Sequence, residues 1–171
     1  MVQNEPYVIR SPIKWGRSAF VSAYCHGERL FCNDATRAIF EKQNVTGVRF
    51  AHVLKKSTGQ PMSDIYQLDF THTISDGTVV AIERMEDYVC QKCGMHMLRF
   101  WDGRSRYGLR SGVLDENIDF WQTQPMFLGR PSTEAVRGQR RLIISQRLYR
   151  FLVENKLTRG FAFTPLDIVD E

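Results

Sequence analysis

The sequence predicts an α+β fold in which two helices pack on a mixed or antiparallel sheet, and two observations carry that expectation. The first is a helix-then-strand design that occurs twice, from Asn33 to Val53 and from Ser145 to Leu166. The second is a set of short segments with alternating apolar residues, the period of strands half-buried on one face. In the first unit, Asn33 to Gln43 has helical apolar spacing, and Gly47 to Val53 alternates like a strand. In the second, Ser145 to Glu154 leads through Asn155-Lys156-Leu157-Thr158 into Gly160-Phe161-Ala162-Phe163-Thr164-Pro165-Leu166. Asn33 and Ser145 are capping residues, and each helix ends ahead of a glycine able to take a left-handed conformation. Ala35, Ala38 and Ile39 match Leu148, Phe151 and Leu152, so both helices seek the same kind of apolar surface.

The remaining elements follow in chain order. Phe20 to Tyr24 reads as a strand that turns at His26-Gly27-Glu28 and returns through Leu30-Phe31. After the first unit, Lys55 to Pro61 is rich in turn formers and predicts a loop. Ile65 to His72 puts Tyr66, Leu68 and Phe70 on one face, and Ser75-Asp76-Gly77 turns it into a partner strand at Val79 to Ile82. Met95 to Trp101 is short and apolar, which suits a strand, and the polar run Asp102 to Gly108 predicts an exposed loop. Ile118 to Trp121 and Met126 to Leu128 read as strand ends or core-covering loop. No low-complexity stretch or long linker divides residues 1–171, so one domain is expected.

A chain of 171 residues with a hydrophobic fraction of 43% carries enough apolar surface to build a core. No apolar run approaches the ~20 residues of a membrane helix, and the first residues lack the pattern of a signal peptide, so a cytoplasmic, membrane-free protein is expected. The net charge of +4 is uneven: residues 98–159 hold twelve Lys or Arg against six Asp or Glu, and residues 1–97 hold eleven against ten. The densest basic run is Arg137-Gly138-Gln139-Arg140-Arg141, which fits an acidic surface, a phosphate backbone or an ordinary solvated loop.

Cys90-Gln91-Lys92-Cys93-Gly94 is the spacing with the most definite chemistry. Two thiolates three positions apart, followed by a glycine for the turn, can hold one side of a tetrahedral zinc ion. The other ligands would come from Cys25, Cys32, His26 or His96. Unligated thiols and redox exchange are the competing uses, although redox exchange expects a βαβ setting. The sequence contains no GxxxxGK[ST], HExxH or G-x-S-x-G pattern, and nothing in it compels an enzyme.

The tail from Leu142 to Leu148, with Leu152 and Gly160 to Leu166, resembles the closing motif of bacterial toxin-immunity proteins of the myxobacterial double-CXXCG type and their relatives. Cys90-Gln91-Lys92-Cys93-Gly94 is similar to one of that family's two CXXCG motifs, and Asp119-Phe120-Trp121 falls where such chains carry an aromatic-rich piece. In place of a second CXXCG this sequence has Cys25 and Cys32, separated by six residues. The resemblance implies a non-enzymatic protein that binds and neutralises a cognate toxin, encoded nearby, by occlusion. Zinc on Cys90, Cys93, Cys25 and Cys32 is the cofactor the cysteine spacing admits, and the missing second CXXCG counts against a complete four-cysteine site. Exposed loops at Lys55 to Pro61, Asp102 to Arg110 and Arg130 to Arg141 would then supply contacts, with Trp101, Arg106, Tyr107 and Arg110 as anchors, because aromatic and arginine side chains dominate interfaces. The alternative is a zinc-knuckle nucleic-acid-binding module that meets phosphates through Arg137, Arg140 and Arg141.

Overall fold

Strand β5, Pro61–Phe70, is the longest strand and is buried at four successive positions, Ile65, Tyr66, Gln67 and Leu68. Side chains alternate between the faces of a strand, so both faces of this one must be covered. The computed structural model describes residues 6–23, 29–83, 85–89, 94, 96–100, 106–124, 126–128 and 140–170. Strands dominate, with two helices, so the chain is broadly α+β. It divides into two compact units, one of Met1–Thr71 with Gln146–Ala162 and the other of His72–Ser145 with Phe163–Glu171.

In the first unit, β5 lies at the centre of a five-stranded sheet. Its neighbours are β3 (Arg29–Asn33) and β4 (Val48–Lys55), and β2 (Phe20–Ala23) and β1 (Val8–Ile9) form the edges. Both β3 and β4 run antiparallel to β5. They are therefore parallel to each other, and helix α1 (Asp34–Lys42) crosses between them as a split βαβ unit. One sheet face carries Phe31, Val53 and Ile65, covered by Tyr7, Ile9, Ile13 and Trp15 from the N-terminal segment. Phe20, Cys32 and Tyr66 share the opposite face by register. There the Phe40 ring of α1 lies 5.7 Å from Phe20 and 6.1 Å from Phe151 of helix α2 (Gln146–Glu154). Leu148 and Leu152 are the fully buried side chains of α2.

The inner stripe of α1 is displaced from the expected Ala35, Ala38 and Ile39: Thr36 and Phe40 are buried while Ala35 and Ala38 are exposed, and the likeness of the two helices lies instead in their buried i, i+4 pairs and their C-terminal ends. Asn33 caps α1, its Oδ1 accepting from the Thr36 backbone N–H at 2.9 Å. At the other end Asn44 is left-handed (φ 51°), the Asn44 N–H donates to Glu41 O, and the Val45 N–H donates to Phe40 O. In α2 the same positions are Lys156 (φ 57°), bonded to Val153 O, and Leu157, bonded to Leu152 O. Both helices therefore stop in a Schellman motif with an apolar residue after the left-handed one. The residue that closes each helix is Asn44 or Lys156, and the expected glycines, Gly47 and Gly160, turn the chain further on with φ 83° and 93°.

The second helix–strand unit differs from its expected form. Residues 160–166 join no sheet, and strand β14 begins only at Asp167 (Asp167–Val169). Pro165 has no N–H to offer a ladder. The expected pairing of residues 65–72 with 79–82 is also overturned. β5 is already flanked by β3 and β4, and β7 (Val79–Glu83) pairs instead with β10 (Arg106–Arg110).

The second unit contains three small sheets. β10 lies between β14 and β7; β11 (Phe120–Thr123) lies between β13 (Leu142–Ile144) and β6 (Thr73–Ile74); β9 (His96–Phe100) lies between β12 (Met126–Leu128) and β8 (Met85–Val89). Ile74, Leu109, Trp121 and Ile143 form one buried cluster joining the first two sheets, with Val79, Val113, Leu114, Ile118 and Leu166 around it. Asp119 is almost fully buried at 1% exposure, and its carboxylate accepts from the Ser145 hydroxyl at 2.7 Å. The strand readings at 95–101, 118–121 and 126–128 thus correspond to β9, β11 and β12. Among the described residues, no helix is long and apolar enough to cross a membrane.

Candidate functional site

Residues 106–110, Arg-Tyr-Gly-Leu-Arg, were expected at the end of an exposed loop and instead form the central strand of a sheet. Their alternation explains the difference. Leu109 is completely buried in the core cluster with Trp121 and Ile143. Tyr107 is half-buried, its ring 4.7 Å from that of Phe127, and the Arg141 guanidinium lies 5.6 Å from the same Phe127 ring. Burial raises the Tyr107 phenol above its ordinary range, against the opposing pull of Arg141. Of the expected anchors, Tyr107 is therefore a packing residue on the inner side of β10.

Arg106 and Arg110 are exposed and already held. Arg106 donates to both carboxylate oxygens of Asp167, with Nη2 at 2.7 and 2.8 Å and Nε at 3.2 Å. This hydrogen-bonded partner raises the guanidinium pKa further, with added support from the charges of Asp167 and Glu83. The Nε of Arg110 donates to the Gly77 carbonyl at 3.2 Å. Arg106 lies opposite Glu83, whereas Tyr107 lies opposite Ala81, which leaves Ile82 as an extra residue in β7. This β-bulge re-aims Ile82 across the strand.

Between the two arginines lies Gly108, buried although it has no side chain. A Cβ there would stand 2.7 Å from the Asp167 carbonyl oxygen, 2.9 Å from Ile82 Cδ1 and 3.0 Å from Val169 Cγ2. Glycine is thus required by close approach: it lets β14 dock and lets Ile82, still 41% exposed, lie over the strand. The resulting surface has an apolar centre of Ile82 and Val169, with Arg106 and Arg110 held on the same strand. Sequence reasoning selected both arginines but took Gly108 for a loop residue. The signal that could have found the site was the alternation in Arg-Tyr-Gly-Leu-Arg itself.

The other expected site residues are distributed as follows. Trp101 and Arg137 lie outside the described residues, as do Cys25, Cys90 and Cys93. Among the described residues nearby, Val89 pairs with His96 and Gly94 is left-handed at φ 67°. Cys32 has 0% exposure in the core of the first unit, and burial raises its thiol to about 12 despite the nearby Arg37. As it stands it is a neutral core thiol. Among the described residues no group of three or more His, Cys, Asp or Glu is placed to hold a metal ion. Arg140 donates through Nη1 to Gln122 Oε1 at 3.4 Å, so it and Arg141 both have contacts within the second unit. The 55–61 segment is the exposed turn between β4 and β5, closed by the Gly59 N–H on Lys55 O at 2.8 Å.

No family model, curated protein or solved structure matches the chain.

Proposed function

We propose that this protein is a toxin-immunity factor that catalyses nothing and neutralises a cognate toxin by occlusion, with the outer face of β10 as its contact surface. The observation that carries the reading is the pair of exposed arginines held by Asp167 and Gly77 O beside Ile82 on a glycine floor. Arginines and buried apolar centres dominate binding energy at protein interfaces, and groups immobilised beforehand lose less freedom on association. Support comes also from the resemblance of the Cys90 to Gly94 and Leu142 to Leu166 segments to immunity proteins.

The test is co-expression with the product of the adjacent gene. The chain is expected to bind that product and to rescue growth. Replacing Arg106 and Arg110 together by Ala should weaken binding roughly thirtyfold, the ~2 kcal/mol of an interface anchor, with little loss of fold because exposed ion pairs contribute at most ~1 kcal/mol. Absence of both binding and rescue rejects the reading. Binding to DNA or RNA that falls steeply with added salt would favour the nucleic-acid-binding alternative instead.

A further inference from the structure

The two helices share their inner design and their termination, so their outer faces can be compared directly. On α1, the exposed positions are Asp34, Ala35, Ala38, Glu41 and Lys42. Arg37 bridges Asp34 at 3.0 Å and Glu41 at 2.8 Å, which makes an ordinary solvated face with its charges internally matched. On α2 the outward positions are different in kind. Tyr149 is 41% exposed and Val153 is 48% exposed, one helical turn apart, whereas α1 has no large exposed apolar side chain. Exposed Arg150, three positions before Val153, lies beside it, exposed Arg147 is on the other margin of the outer face, and exposed Lys156 and Arg159 follow the helix.

Charge is concentrated here as well. Residues 146–159 contain four cations against the single acid Glu154, a net +3 of the chain's total of +4. The face is also rigid, because Leu148 and Leu152 fix the inner side of the helix and the Schellman turn fixes its end. An apolar ridge at i, i+4 is the feature that a second helix receives into a groove. Cations at its margin call for carboxylates on that helix. A phosphate backbone would satisfy the cations and leave Tyr149 and Val153 without an apolar partner, which favours a protein over a nucleic acid.

We propose that the outer face of α2, with the turn that follows it, is a docking surface for an acidic amphipathic helix of a partner protein. Tyr149 and Val153 seat the apolar stripe of that helix, and Arg147, Arg150, Lys156 and Arg159 meet its flanking carboxylates. This surface is built from other residues than the β10 face and does not depend on the immunity reading.

The experiment uses the full chain labelled with 15N and a synthetic helical peptide of Leu and Ala with flanking Glu. Controls are the same peptide with Lys for Glu, a short RNA duplex and phosphatidylserine vesicles. The Glu peptide is expected to shift the amide resonances of residues 146–159. Its affinity should fall about tenfold for Arg147→Glu combined with Arg150→Glu, and by a similar factor for Tyr149→Ala, while amides outside residues 142–162 keep their positions. Absence of shifts in 146–159, equal binding of the Lys peptide, or tighter binding of RNA or vesicles through the same residues would each overturn the proposal. Val153→Asp gives a second, independent check: its exposed setting on the helix, at 48%, tolerates the change, and unaltered peptide affinity would also count against the surface.

Discussion

At Lys156 a long side chain occupies the left-handed position that ends α2, at φ 57°. A non-glycine residue there costs roughly 1 kcal/mol from the approach of Cβ to the carbonyl, and asparagine at the matching Asn44 tolerates the same conformation better. Lys156→Gly should therefore raise stability by about 0.5–1 kcal/mol in urea unfolding, and Asn44→Gly by less. Equal gains at the two positions would show that side-chain identity there is immaterial. Cys32 gives a pH prediction whose sign follows from its burial. Its thiol ionises near 9.0 when unfolded and at about 12 when folded. Between those values the unfolded chain has lost a proton that the folded chain keeps. The stabilisation is thus fully present below pH 9 and declines by about 1.4 kcal/mol per pH unit as pH rises toward 12. Cys32→Ala should remove that part of the slope, as measured by unfolding at pH 8 to 11, although the cavity lowers stability at every pH.

The strand β14 shows how one residue governs an element. It holds three residues, pairs with β10 alone and is tied by the Arg106–Asp167 pair. That pair is exposed, so it contributes little by itself. The close approach permitted by Gly108 is the stronger constraint, because the nearest atom to an added Cβ is backbone and cannot rotate away. Gly108→Ala should cost about 1–3 kcal/mol, as overpacking does, and should speed amide exchange at residues 167–169. An unchanged unfolding midpoint would mean that β14 docks without the glycine floor. The same substitution should disturb the β10 face, since Ile82 Cδ1 occupies the space a methyl would take.

At the scale of the whole molecule, the first unit is built from two separated pieces of chain. Residues 1–71 supply the five-stranded sheet and α1, and residues 146–162 supply α2 and Phe161. Phe40 and Phe20 each pack an aromatic ring from the second piece, at 6.1 Å for Phe151 and 5.0 Å for Phe161. A fragment of residues 1–71 alone would leave the Phe20 and Phe40 rings without Phe151 and Phe161, and with Leu148 and Leu152 gone it loses several buried side chains at about 1.5–3 kcal/mol each. We expect that fragment to be unfolded or aggregated, with dispersed amide resonances appearing when a 146–162 peptide is added. A well-dispersed spectrum from 1–71 by itself would show that α2 is not needed to complete the unit.

Local patterns determined much of this protein. The capping Asn33, the apolar stripe of α2, the alternation of β4 and the short apolar run of β9 are properties of neighbouring residues and are legible in the chain, whereas the burial of both faces of β5 and of Thr36 and Phe40 on α1 is not. Which strands pair is a contest among distant segments, and local alternation cannot decide it. β5 therefore took β3 and β4 as neighbours and left β7 to β10, against the expectation from a short turn. Tertiary structure alone decided that Gly108 sits under Ile82 and Val169, that Tyr107 turns inward to Phe127, and that Cys32 is a neutral core thiol. The physical reason is that close approach and desolvation are set by atoms far away in sequence.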